Sequence, residues 1–462
     1  MPEPGRPNDR CRVAADDLRW SCDPASFGFA DTSEIGDCPI EIIGQPRAIA
    51  ALALGLEVRS EGYNIFVAGE VGTGRSTTVR RTIARKMPDE QPPPDLVYVH
   101  NFRDPDRPRL LTFPAGGGRR FRDAMAEVVD NLGNLLPRLF ESSRYQERRT
   151  RLIDAAKAEH RAALKDFEER SKDAGFALAQ IQMGEIVRPE FVPLIDDKPV
   201  GLDDLEDAVE KGEFDRERFE RLKEEHGRLT REMGVVSKEI RAIQRRLGRQ
   251  LTELDRETAR GPVREAVEDL RDEFQSLAAR EYLDQATDDV LERIPTFRRI
   301  TESDPGEMDV DAAAELQAVL VPYRVNLLVD NSTARGRPIL WETSPSFRNL
   351  FGTVERVPDP SGVTNTDHTR IKAGALVRAN GGFLVVDALD LLVEPGVWPA
   401  LKRTLRTHEL EIQSYDPRHP QLCSALQPES IPLDIKVVMI GTHQIHRQLY
   451  ALDEDFKKIF KI

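Results

Sequence analysis

Nine residues near the start of this chain restrict its fold more than any other stretch. Residues 69–77, GEVGTGRST, follow the apolar run 63–68 and precede a helical pattern. An apolar strand, a glycine-rich turn and a helix start, in that order, let backbone N–H groups and a helix N-terminus converge on an anion. We therefore predict a phosphate-binding loop for a nucleoside triphosphate. A plain Gly/Ser/Thr turn is the weaker alternative, because strand, glycines, cation and hydroxyl all fall in order.

One position departs from the usual pattern of such loops, G-x-x-x-x-G-K-[ST]. Arg75 stands where a lysine reaches the β- and γ-phosphates. Arginine keeps the positive charge but carries a larger, planar and forked head group. We expect nucleotide binding to survive this change better than hydrolysis does.

A strand that ends in a carboxylate supplies the second half of the predicted site. Residues 383–387, FLVVD, form the strongest strand pattern in the chain, and Asp387 at its end has the chemistry to hold a magnesium ion opposite the loop. The run 435–442 predicts the last strand, and Thr442 at its end, or the neighbouring His443, is a candidate sensor of the γ-phosphate. These elements predict an α/β fold with a parallel, doubly wound sheet. Within it, Leu96–Phe102 is expected as a second buried strand and residues 102–114 as a charged surface connection.

From about residue 121 to 300 the composition shifts to Glu, Arg, Lys, Leu and Ala. Apolar residues from Leu229 to Leu254 recur at intervals of three and four, which predicts a coiled-coil helix, and an earlier helix around 153–167 is the expected antiparallel partner. Residues 176–195 predict a small β-hairpin at the tip. A purely structural arm and an element that contacts other proteins both fit this pattern.

Four units follow from these patterns. We expect a polar leader at 1–40, a first part of the nucleotide-binding core at 41–120, the helical insertion at 121–300 and a second part of the core at 301–462. The chain is expected to stop in a helix at 460–462, before the lid and any further domain that such a fold requires.

Charge and cysteine usage limit the classes of partner. The formal net charge is −14 and the pI is about 5.3, which argues against general nucleic-acid binding, although a local basic patch stays open. The four cysteines are scattered without a C-x-x-C pair, as in a reduced protein without structural zinc. The N-terminus has no apolar secretion signal, and no uncharged run is long enough to span a membrane, so a cytoplasmic location is expected.

Six blocks, taken in order, carry a family resemblance: residues 43–45, 62–69, 99–105, 325–331, 349–352 and 374–382. In these blocks the chain resembles the ATPase portion of Lon-type ATP-dependent serine proteases, in the branch where a long helical insertion interrupts the AAA+ module. The resemblance implies ATP and Mg²⁺ as cofactors, a homo-hexamer and unfolded or damaged protein substrates. It also implies a peptidase domain with a Ser-Lys dyad, in the same or an adjacent chain, because this sequence shows no such domain.

The resemblance assigns roles to individual residues. Gln45 is expected beside the nucleotide base. Ala388 occupies the place of the glutamate that polarises the attacking water, and Asp390 is the nearest carboxylate, two residues further along. Loss of a positioned base typically costs about 10²–10⁴ in rate, so slow or absent ATP turnover is expected. The expected catalytic residues are Asp387 and Asp390; the metal ligands are Ser76 and Asp387; and the cofactor-binding residues are Gly69, Gly72, Thr73, Gly74, Arg75, Ser76, Thr77, Gln45 and Thr442.

Two other classes of protein remain as alternatives. A chromosome-organising ATPase with a coiled-coil arm would require a Leu-Ser-Gly-Gly signature and a basic surface for DNA, and neither is found in the sequence. An AAA+ transcription activator is favoured by Leu350-Phe351-Gly352, since residues 350–387 also look like bacterial enhancer-binding activators, but no helix-turn-helix module accompanies them.

Overall fold

The computed structural model describes residues 13–19, 21–35, 45–86, 91–183, 186–195, 198–301, 310–358, 364–413 and 426–462. The helices are α1 (Pro46–Glu57), α2 (Arg75–Lys86), α3 (Gly117–Glu141), α4 (Ser143–Asp173), α5 (Leu202–Glu210), α6 (Arg216–Glu273), α7 (Leu277–Thr301), α8 (Val310–Leu320), α9 (Phe347–Phe351), α10 (Ala375–Arg378), α11 (Ala388–Val393), α12 (Val397–Thr407), α13 (His443–Leu452) and α14 (Phe456–Ile459).

The strands are β1 (Ile65–Ala68), β2 (Asp95–Val99), β3 (Arg109–Phe113), β4 (Phe176–Met183), β5 (Ile186–Ile195), β6 (Lys198–Pro199), β7 (Asn326–Val329), β8 (Ile339–Glu342), β9 (Thr353–Val354), β10 (Val357–Pro358), β11 (Thr364–Asn365), β12 (Ile371–Lys372), β13 (Phe383–Asp387), β14 (Glu409–Leu410), β15 (Ile431–Pro432) and β16 (Lys436–Gly441).

A four-stranded parallel sheet lies at the centre of the unit that contains the glycine-rich loop, which we call the parallel-sheet unit. Its strand order is β1-β16-β13-β8. Successive side chains point to opposite faces of a strand, and both faces of this sheet are covered, which explains its nearly continuous apolar strands. On one face Ile65, Val385 and Val438 pack with residues of α1 and α2. On the other face Leu384 and Met439 belong to a larger core that extends to α12 and α14. The predicted α/β class with a parallel sheet is confirmed.

The prediction that Leu96–Phe102 belongs to this sheet is wrong. Strand β2 lies instead in a separate antiparallel sheet of order β3-β2-β7. Residues 102–114, expected as a surface connection, therefore contain the paired strand β3. The apolar pattern of β2 marks a buried strand in either sheet, so it could not indicate which partners the strand takes. The neighbours of β13 are β16 and β8, and β8 lies far later in the chain than β2.

The helical unit packs on this antiparallel sheet. Val97, Val99, Leu111 and Phe113 share one hydrophobic core with residues of α3, α6 and α7. The strands before residue 120 and the helices after it therefore share one core, across the boundary expected at that residue. The helices begin at Gly117 rather than at 121, because Gly118 donates its N–H to the buried carboxylate of Asp95 at 2.9 Å and ties α3 to β2.

Helices α4 and α6 form a long arm. They run antiparallel, since Arg148 pairs with Glu257 at 3.1 Å near one end and Arg170 with Glu232 at 3.1 Å near the other. Leu229, Val236 and Ile243 of the predicted apolar seam are buried. Strands β4 and β5 pair antiparallel at the expected position of the hairpin, and together with β6 and α5 they occupy the tip between the two helices.

The last residues of the chain cover the outer edge of β1. The N–H of Phe66 donates to the carbonyl of Ile462 at 2.7 Å, and the N–H of Asn64 donates to that of Ile459 at 3.2 Å. The expected helix at 460–462 is wrong, because α14 ends at Ile459. The backbone of the following residues instead forms a hydrogen bond with β1. No helix in the described part of the chain is long and apolar enough to cross a membrane.

Candidate functional site

The glycine-rich loop connects β1 to α2 at the carboxyl end of the parallel sheet. Gly72 and Gly74 have positive φ angles of 86° and 77°, which L side chains rarely adopt. A Cβ built at either position would meet no heavy atom within 4 Å, so the space above the loop is open. The loop therefore takes a shape that requires glycine, with open space beside both glycines.

The backbone amides at the start of α2 follow the glycine-rich loop directly. The N–H of Thr78 donates to the carbonyl of Gly74 at 2.9 Å, which is the first helical bond. By helix geometry the N–H groups of Arg75, Ser76 and Thr77 have no acceptor within the helix. Ser76 and Thr77 are exposed. Thr73 differs, because its hydroxyl donates to the carbonyl of Glu70 at 2.7 Å and closes the loop.

Strand β16 connects the loop with the rest of the sheet edge. The N–H of Gly69 donates to the carbonyl of Gly441 at 3.2 Å, and the guanidinium of Arg75 donates to the same carbonyl. Arg75 thus reaches across the loop to the end of β16. Sequence reasoning missed Gly441, because a glycine at a strand end carries no local signal of the donors that its carbonyl accepts.

Asp387 lies at the same edge, on the other side of β16. Ala68 is paired with Gly441, and Asp387 is paired with Ile440. Two strand spacings of about 4.8 Å place the ends of β1 and β13 about 10 Å apart, with β16 between them. One carboxylate oxygen of Asp387 accepts from the N–H of Leu389 at 2.8 Å and from that of Asp390 at 3.4 Å, which caps α11. The loop and Asp387 therefore follow strands that are separated by β16 and are not direct neighbours.

The other predicted residues differ in their position and exposure at this edge of the sheet. Thr442 follows β16 and caps α13, accepting from the N–H of Ile445 at 3.3 Å. Ala388 is fully buried, whereas Asp390 is exposed on α11. Gln45 precedes α1, which packs against α2, and it has a positive φ of 53°. Residues 43 and 44 of the same predicted motif lie outside the described residues.

The residues at this edge fit a magnesium–triphosphate group. Space is open beside Gly72 and Gly74, the first amides of α2 have no acceptor within the helix, and Ser76 and Asp387 supply the hydroxyl and carboxylate oxygens that Mg²⁺ prefers. The described residues contain no cluster of three or more His, Cys, Asp or Glu side chains placed to hold a metal by protein ligands alone. Mg²⁺ usually binds through one or two carboxylates together with substrate phosphates.

Comparisons with known protein families cover two parts of the chain. The family model described as LonB-like AAA domain matches residues 335–462, which contain β8, β13 and β16. The model described as Lon-like LonC helical domain matches residues 95–128, which contain β2, β3 and the start of α3. The second match thus begins at the antiparallel sheet and not at the first helix.

Two curated proteins are similar over shorter stretches. A Lon protease homologue of Escherichia coli K12 is 25% identical over 154 residues, which is 33% of this chain and 24% of that protein. The archaeal Lon protease of Methanothermobacter thermautotrophicus is 36% identical over 80 residues, 17% of this chain and 12% of that protein. The chain therefore matches a quarter or less of the length of either relative.

Among solved structures, NtrX from Brucella abortus aligns with a TM-score of 0.18 and 13% identity, over 27% of this chain and 25% of NtrX. A TM-score this low carries no argument about fold. The family matches and the two relatives confirm the resemblance predicted from the sequence: this chain is similar to the AAA portion of Lon-type proteases.

Proposed function

We propose that this chain is the ATP-binding AAA+ portion of a Lon-like ATP-dependent protease. The observation that carries the proposal is the meeting of three elements at one sheet edge. The loop at 69–77 follows β1, Asp387 ends β13 and Thr442 follows β16. Strands β1 and β13 both pair with β16. Ligands of open α/β sheets bind beyond the carboxyl ends of parallel strands, which is where these residues lie.

Each residue has a separate task in this proposal. The amides of Arg75, Ser76 and Thr77 hold the phosphate oxygens, and the hydroxyl of Ser76 and the carboxylate of Asp387 hold Mg²⁺ and its water shell. When bound, the metal neutralises charge on the β- and γ-phosphates. Thr442 donates its hydroxyl towards the γ-phosphate, and Gln45 contacts the base.

Hydrolysis is proposed to be slow. Ala388 cannot orient a water molecule, and the carboxylate of Asp390 is on the exposed side of α11. Arg75 is also occupied, because its guanidinium binds the carbonyl of Gly441. Together these features favour a nucleotide-stabilised gate over a fast motor.

The activity proposed for the whole protein rests on the same resemblance to Lon-type proteases. We propose that the chain engages unfolded proteins, assembles into a hexamer in the cytoplasm and works with a peptidase domain in the same or an adjacent chain. A test is the binding of fluorescently labelled unfolded casein with and without ATP. Casein affinity that rises on addition of ATP supports this role, and an affinity independent of ATP contradicts it.

The nucleotide site is tested by titrating the chain with a fluorescent ATP analogue, with and without Mg²⁺. Hydrogen bonds to charged groups contribute roughly 1.5–3 kcal/mol, so Ser76→Ala and Asp387→Asn should each weaken Mg²⁺-dependent binding by roughly 10–100-fold. Thr252→Ala, at a half-buried position of α6 in the arm, is the matched control and should bind like the wild type. Equal affinities for all four proteins would refute the site.

A further inference from the structure

Charge is distributed unevenly along the arm. The arm base, defined as residues 144–161 of α4 and 241–260 of α6, contains twelve Lys and Arg but six Asp and Glu, in a chain where acids outnumber bases 80 to 66. The arm tip, defined as residues 202–215, contains seven Asp and Glu and one Lys. The arm therefore carries a basic block and an acidic block on one elongated element.

Three cations of the arm base are available for contact. Arg241, Arg245 and Arg249 are exposed and lie four residues apart, which places them along one side of α6. They make no ion pair with any residue that the structure describes, whereas Arg148 and Arg246 pair with Glu257 and Glu159 across the two helices. The pairs bridge the two helices, and the stripe of three arginines is exposed.

The carboxylates of the arm tip are exposed in the same way. Asp203, Asp207 and Glu210 lie on the solvent side of α5, whose Leu205 is buried against the arm. Glu206 pairs with Lys223 at 3.6 Å. Within the described part of the chain, the other three make no ion pair. They form an acidic surface that is not neutralised locally.

The two blocks of one chain cannot meet each other. Helix α6 separates Asp215 at the tip from Arg241 by 26 residues, so by the helical rise they are about 39 Å apart. At physiological salt the screening length is about 8 Å, and the blocks do not attract each other along the helix. Neither block can therefore neutralise the other within one chain.

We propose that the arms of two copies of this chain pair side by side and antiparallel, so that each acidic tip lies on the partner's basic base. An antiparallel pair with two-fold symmetry forms both complementary contacts at once, because the same two surfaces are used twice. A nucleic acid would neutralise the base alone and would be repelled by the tip and by the net charge of −14. A second copy is therefore the better occupant.

The test uses charge reversal and mixing. Variant B carries Arg241→Glu, Arg245→Glu and Arg249→Glu, and variant T carries Asp203→Lys, Asp207→Lys and Glu210→Lys. Each variant alone places like charges opposite each other, whereas a mixture of B and T restores both attractive contacts. Association is measured by sedimentation at ~0.05 M and ~0.5 M salt, where screening differs about threefold. The control for B carries Arg85→Glu, Lys372→Glu and Arg406→Glu, exposed residues of the parallel-sheet unit with the same change in charge.

The expected result is that B and T each associate at least tenfold more weakly than the wild type at low salt, that their mixture recovers the wild-type affinity and that the control is unaffected. A disulfide between Glu210→Cys on one chain and Gln250→Cys on another would report the same contact directly. Wild-type association by B and T, or a mixture that fails to recover, overturns the proposal. So does loss of binding to a labelled DNA oligonucleotide by B with its self-association unchanged, which would make the base a nucleic-acid surface.

Discussion

Ala388 is packed directly against Gly441 at the candidate nucleotide site. A Cβ placed on Gly441 would come within 3.0 Å of the Cβ of Ala388 and within 2.7 Å of the ring of Phe66, and Ala388 itself is fully buried. The position that resembles a catalytic glutamate of the family is therefore a tightly packed alanine. The side chain at this position is part of the core packing and does not border an open gap.

Restoring the glutamate is expected to damage the fold and not to restore hydrolysis. Ala388→Glu should destabilise the parallel-sheet unit by roughly 1–3 kcal/mol from overpacking, with a further cost if the carboxylate stays buried without a partner. Denaturant unfolding followed by tryptophan fluorescence measures this, since Trp341 lies in β8 and Trp398 in α12.

Leu389→Glu is the matched control for this change. Leu389 is the next residue and is 55% exposed, so its substitution should alter stability by less than about 0.5 kcal/mol. Fast ATP hydrolysis by Ala388→Glu at unchanged stability would show that the side chain of residue 388 faces the nucleotide.

Two glycine-to-alanine changes are expected to shift the free energy of unfolding in opposite directions. Gly441→Ala should destabilise by roughly 1–3 kcal/mol, because the new methyl group would overlap Phe66. Gly248→Ala should stabilise by roughly 0.5–1 kcal/mol, because Gly248 is inside α6 and a Cβ there meets no heavy atom within 4 Å. Thermal unfolding of both variants, followed by circular dichroism, distinguishes them. A shift in the same direction for both would contradict the packing described for Gly441.

Arg75→Lys is expected to strengthen ATP binding. The guanidinium of Arg75 must leave the carbonyl of Gly441 before it can contact a phosphate, whereas a lysine ammonium is a compact charge on a flexible stem. A net hydrogen-bond contribution of roughly 0.5–1.5 kcal/mol predicts an affinity gain between about twofold and tenfold. Isothermal titration calorimetry with Mg²⁺–ATP measures it.

Arg80→Lys provides the comparison for Arg75. Arg80 lies on the same helix, but its guanidinium stacks 4.8 Å from the ring centre of Trp341, so it should not affect nucleotide affinity. Weaker binding by Arg75→Lys than by the wild type would identify the guanidinium itself as the phosphate ligand.

The junction between the antiparallel sheet and the helical unit should be sensitive to acid. Burial lowers the pKa of His100 from 6.5 to about 4, and the neighbouring His368, whose ring centre is 5.7 Å away, acts in the same direction. Asp289 and Asp367 oppose this shift. The folded state thus favours the neutral imidazole, and its stabilising effect is complete above pH 6.5 and is lost as the pH falls towards 4.

Urea unfolding at several pH values checks this dependence. His100→Gln should flatten the fall in stability between pH 6.5 and 4, because the glutamine does not titrate. His160→Gln on α4 of the arm is the matched control. An unchanged acid dependence in His100→Gln would assign the effect to other groups.

Much of the candidate site could be predicted from the sequence because it depends on local chemistry. The glycines at 72 and 74 are required by backbone angles that few other residues adopt, and Asp387 ends an unambiguous apolar strand. The same reasoning could not identify Gly441, because a glycine at a strand end has no local property that reveals which carbonyl Arg75 and Gly69 will contact.

What the sequence by itself determined is the set of elements: the loop, the acidic strand, the last strand and the long apolar seam of the arm. Only the tertiary structure decided which strands are neighbours. It placed β16 between β1 and β13, and moved β2 into an antiparallel sheet under the helices. The reason is physical, since periodicity reports that a strand is buried but not against what, and partners separated by hundreds of residues are selected by the packing of the whole core.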